Sequence, residues 1–148
     1  MRLPMENVMF RAFVLVALLA GRALAADTPA DAARAYAIQG TASPASVKVG
    51  ETGKLVVTIR PASPAWHVHP QAPLKIRFEA SPGLRLGRAE LGHEDVVDAK
   101  ADAPRFETSF VASAAGVQRA SASVDFFICS DSACVKQVKA VEIPVTVR

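Results

Sequence analysis

The chain has 148 residues, 17 Lys and Arg against 14 Asp and Glu, and two cysteines, with 51% of its residues hydrophobic. That balance suits an ordinary folded domain. It excludes a disulfide-dense scaffold and a low-complexity tail, and no basic block with interleaved aromatics points to nucleic acid.

Met1-Arg2 and Arg11 form a positive leader, Ala12–Ala20 is an unbroken apolar run of nine residues, and Ala23-Leu24-Ala25 supplies a small-x-small cleavage pattern. A bilayer span needs about 20 apolar residues. Residues 1–25 therefore read as a cleaved secretory signal. The mature protein is expected in the periplasm, where disulfides persist, with no membrane span of its own. Cleavage removes Arg2, Arg11 and Arg22 with Glu6, leaving 14 basic against 13 acidic residues over a remainder of 123. A near-neutral single domain, expected to be a monomer, has that size.

Residues 26–34 are rich in Ala and Asp and read as a flexible tail or one helical turn. The single domain is expected over 35–148. Short runs of alternating apolar residues then follow: Ala35–Thr41, Ser46–Val49 and Lys54–Arg60, the last with Leu55, Val57 and Ile59 on one face. Gly50-Glu51-Thr52-Gly53 turns between two of them, and Pro61-Ala62-Ser63-Pro64 breaks the chain. Leu74–Ala80 has Leu74, Ile76 and Phe78 in phase. Leu84–Leu86 is a short edge strand and Phe106–Ala112 a longer one, and Val117–Cys129 and Val135–Val147 close the domain. Seven or eight short strands at this spacing predict an all-β, immunoglobulin-like antiparallel β-sandwich. Gly87–Arg105 is polar, turn-rich and too long for a mere connector, which marks it as the functional loop.

Cys129 and Cys134 bracket Ser130-Asp131-Ser132-Ala133, with strands on either side, so they face each other across the end of a β-hairpin. A bridge there closes six residues. Such a closure stabilises by about 2 kcal/mol, against more than about 4 for one spanning a domain. This is poor placement for a staple and good placement for a bond that is made and broken. Without a helix amino terminus to lower its pKa, the thiol relies on its neighbours. Asp131 opposes thiolate formation and Lys136 favours it.

Phe126-Phe127-Ile128-Cys129-Ser130-Asp131-Ser132-Ala133-Cys134, followed by Lys136-Gln137 and Val141–Val145, resembles the active-site hairpin of one family. This is the amino-terminal periplasmic domain of the DsbD thiol:disulfide interchange proteins. Gly53–Arg60 with Trp66–Ile76 is similar to that family's early strands and the His/Pro turn joining them, and the likeness covers residues 36–148. His93-Glu94-Asp95 falls where the family has its acidic cap loop, with Val96-Val97 in place of the aromatic shield. The resemblance implies a reductant carrier without a cofactor. Its donor would be a thioredoxin-like or membrane thiol:disulfide protein, and its acceptors periplasmic disulfide proteins. It further implies that Cys134 forms the mixed disulfide, Cys129 resolves it, and Asp95 tunes proton transfer.

Two other readings stand beside exchange. One is a non-catalytic binding or assembly module of the same fold, in which the bridge is structural. The other is a copper-handling domain. His67 and His69 share a face if extended, His93 offers a third nitrogen and Cys134 a sulfur. Against this, Pro64 and Pro70 make the segment a turn and the three histidines ordinary surface residues. Trp66 reads as a core residue. Ser121 and Ser123 alternate outward beside no His, so no hydrolase is indicated.

Overall fold

The computed structural model describes residues 25–148. The expected signal, apart from Ala25, lies outside them.

Period-two alternation builds the domain. On β9 (Gly116–Cys129) the residues Ala120, Ala122, Val124, Phe126 and Ile128 are buried, while Ser121, Ser123, Asp125 and Phe127 face outward. The same rhythm buries Leu55, Val57 and Ile59 on β3 (Thr52–Pro61) and Phe106 and Phe110 on β8 (Arg105–Ala112). It also buries Ile76 and Phe78 on β5 (Lys75–Ala80), and Ile143 and Val145 on β10 (Cys134–Val147). The remaining strands are β1 (Tyr36–Ser43), β2 (Ser46–Val47), β4 (His67–Val68), β6 (Leu84–Leu86) and β7 (Glu90–Gly92).

Two sheets enclose these side chains. One runs β1-β3-β8-β6, the other β2-β10-β9-β5-β7, with β4 added beside β9. The protein is thus an all-β, immunoglobulin-like sandwich. Its pairings are antiparallel except for β2, which runs parallel to the end of β10. β1 closes over β10 so tightly that a Cβ at Gly40 would stand 2.6 Å from the Ile143 side chain, which explains a glycine inside a strand.

Three segments carry more structure than their sequence patterns predict. The segment expected as a flexible tail or one helical turn forms the short helix α1 (Pro29–Arg34). Thr28 and Asp31 exchange the two bonds of a capping box, and Ala32 is fully buried. The turn after Pro64 contains β4, whose two residues pair with Cys129 and Ile128. The long loop contains β7, which pairs with β5, and a single 3-10 turn over His93–Asp95.

Candidate functional site

The strand register puts Cys134 directly opposite Cys129, and the pair is disulfide-bonded with Cα atoms 4.0 Å apart. Beyond it, the backbone N–H of Ser130 donates to Ala133 O at 2.7 Å. The Ser130 hydroxyl accepts from the N–H groups of Ser132 and Ala133, so the turn is held by a side chain rather than by glycine. The two cysteines are not equivalent. Cys129 is 4% exposed yet stands outside the apolar core, buried by neighbours on the outward face, whereas Cys134 is exposed.

Those neighbours come from β4. His67 pairs in register with Cys129, and the His69 N–H donates to Phe127 O at 3.0 Å. Across the sheet the row therefore reads His67, Cys129, Cys134. Residues opposite one another on antiparallel strands project to the same face with Cβ atoms about 5 Å apart, so His67 and Cys129 are cross-strand neighbours on the outward face, with Cys134 on the far side of Cys129. Lys136 lies two residues beyond Cys134 on its outward face. Position His67 was legible as a turn histidine. Its pairing with Cys129 was not, because a two-residue strand between prolines leaves no periodic signal.

The hairpin tip is also touched from the amino-terminal side. The Asp27 N–H donates to Ser132 Oγ, which in turn donates to the Asp27 carboxylate, both at 3.0 Å. Tyr36 packs edge-on against Phe126 with centroids 4.8 Å apart and donates to Gln137 Oε1 at 3.1 Å.

Asp95 spends both carboxylate oxygens on the Arg88 guanidinium and accepts the Gly92 N–H at 2.8 Å. The Arg88 hydrogen bonds, then the Gly92 N–H, hold its pKa below the ordinary carboxylate value. Glu94 lines a shallow hollow with Arg88, Glu90 and Lys75. Among the described residues neither carboxyl bonds to the cysteine hairpin. Val96 bridges to Phe106 and packs on the core, while Val97 is 56% exposed. What the loop does approach is β4. His93, Val96 and Asp98 share a hollow with His67 and His69.

The histidines divide by their bonding. His69 Nδ1 accepts the N–H groups of Gln71 and Ala72 at 3.1 and 2.9 Å and so organises the turn after β4. His93 Nε2 is bonded to Ala72 O. The His67 ring has no hydrogen-bond partner among the described residues. Nor do those residues contain a group of three or more His, Cys, Asp or Glu arranged to hold a metal. Trp66 is half-buried against the core.

No family model and no curated protein matches the chain. Among solved structures, a conjugative transposon lipoprotein from Bacteroides eggerthii is 9% identical with a TM-score of 0.40, the match covering 75% of this chain and 96% of that one. AggA, the major subunit of aggregative adherence fimbriae type I from Escherichia coli, is 14% identical with a TM-score of 0.32, covering 76% and 94%. Neither likeness bears on the chemistry of the hairpin. Among the described residues, no helix is long and apolar enough to cross a membrane.

Proposed function

We propose that this protein exchanges disulfides in the periplasm through the Cys129–Cys134 pair, taking reductant from a thioredoxin-like dithiol and passing it to disulfide-bonded acceptors. The observation that carries the reading is unequal access: Cys134 is exposed while Cys129 is 4% exposed. A partner thiolate must approach along the line of the S–S bond, from the side of the sulfur it attacks. Here solvent reaches the pair from the Cys134 side. Attack there breaks the S–S bond, joins the partner sulfur to Cys134 and leaves the electron pair on Cys129. The partner's second thiolate then displaces Cys134. Two electrons have moved, and the partner carries the disulfide away. These are the roles that resemblance to the DsbD amino-terminal domain implies. The burial asymmetry supports them independently of that resemblance.

The test is a trapping experiment in the secreting cell. A Cys129→Ala variant keeps the accessible thiol and lacks the resolving one, so it should accumulate a larger, reductant-sensitive adduct. Cys134→Ala should yield far less. Equal absence of adduct from both variants at normal expression would leave the bridge a structural one and the domain a binding module.

A further inference from the structure

We infer that His67 is the proton-handling group of this exchange, acting on the Cys129 sulfur; the inference rests on the exchange reading and names the residue that makes Cys129 leave. Exchange needs a group that stabilises the departing thiolate and can take up or give a proton near neutral pH, and imidazole is the side chain suited to that. The acid expected from the loop is occupied, since Asp95 is bound to Arg88 and Gly92 N–H. His69 and His93 are committed to the turn after β4. His67 alone of the three histidines pairs in register with Cys129, and its ring is exposed and unbonded among the described residues.

The segment before β8 brings Asp98 into one hollow beside His67 and Asp102 into that hollow and a second one. The cations and imidazoles that share these hollows are Arg60 from the end of β3, His69 from the turn after β4, and His93 from the 3-10 turn. His67 thus shares hollows with two loop carboxylates on one side and pairs in register with Cys129 on the other.

As the partner thiolate bonds to Cys134, the electron pair of the S–S bond goes to Cys129 Sγ, and the imidazolium of His67 stabilises it and then protonates it. The neutral imidazole left behind regains its proton from water. In the reverse direction it takes the proton from Cys129 as that thiol attacks a mixed disulfide on Cys134.

The experiment isolates Cys129 as the sole thiol in a Cys134→Ser background and follows its thiolate by ultraviolet absorbance across pH, with His67 intact or replaced. His67→Ala and His67→Gln should each lower the thiolate fraction at neutral pH about tenfold, and His67→Lys, which restores a fixed cation, should recover most of it. In the disulfide-bonded protein, both neutral variants should slow reduction by dithiothreitol by a similar factor and flatten its pH profile. Superimposable thiolate titrations in all four proteins would overturn the inference, whatever trapping shows. Conversely, a His67-dependent thiolate with no trapped adduct would sink the exchange reading and leave the His67–Cys129 coupling standing.

Discussion

Asp95 is 15% exposed, paired with Arg88 and fixed by the Gly92 N–H, so its carboxylate holds the 3-10 turn to the strand before it. The folded-state pKa lies below the ordinary value of 3.8. A depressed carboxylate stabilises the fold above its unfolded pKa, and that contribution is lost as pH falls through the folded value. Asp95→Asn should therefore lower the urea midpoint modestly at neutral pH, and the variant and the parent should converge only as pH falls through the depressed folded-state value. It should leave the rate of disulfide reduction unchanged. A slowed reduction in Asp95→Asn at full stability would bear out the proton-transfer role that the resemblance implies. The cysteine pair itself was legible because its spacing across a hairpin is a local property. The asymmetry within the pair was not, because β4, whose His67 pairs with Cys129, sits 62 residues upstream in a proline-flanked turn.

At the scale of elements, α1 is the piece that alternation cannot reveal. Six residues carry no helical period, yet Pro29 at the first turn and the Thr28–Asp31 capping box make the helix locally consistent. Its anchor is Ala32, fully buried, and Asp27 just before it bonds Ser132 at the hairpin tip. The segment thus secures the free side of β10 where Cys134 begins, a common way to cover a sheet edge. Ala32→Asp would bury a carboxylate without a partner and should destabilise by about 2–3 kcal/mol. Amide hydrogen exchange at Ser130–Cys134 should rise more than at the far end of β10. Uniform loosening along β10 would mean that α1 supports the sandwich as a whole and has no particular tie to the hairpin. The longer strands, by contrast, were readable to within one or two residues, since burial on one face imposes the period of two that their sequences carry.

At the scale of the whole molecule, the question is whether the bridge holds the domain together. A carrier must stay folded with its thiols reduced, whereas a small secreted domain stapled by its disulfide loses its fold on reduction. Here the side chains of Phe106, Phe110, Phe126, Ile59, Ile76 and Ile143 are fully buried between the two sheets. Cys129 and Cys134 stand on the outward face, outside that cluster. The bridge joins residues five apart in sequence at the end of a hairpin that the β9–β10 pairing already aligns over fourteen residues of each strand. Removing it relaxes a closure of about 2 kcal/mol. For a domain of this size that corresponds to a fall in Tm of about 8 °C. Reduced protein should therefore unfold cooperatively, about 8 °C below the oxidised form, with the same far-ultraviolet dichroism beforehand and an unchanged denaturant slope. Loss of the transition on reduction would identify the bridge as a staple that the core cannot do without, a property incompatible with shuttling electrons through it.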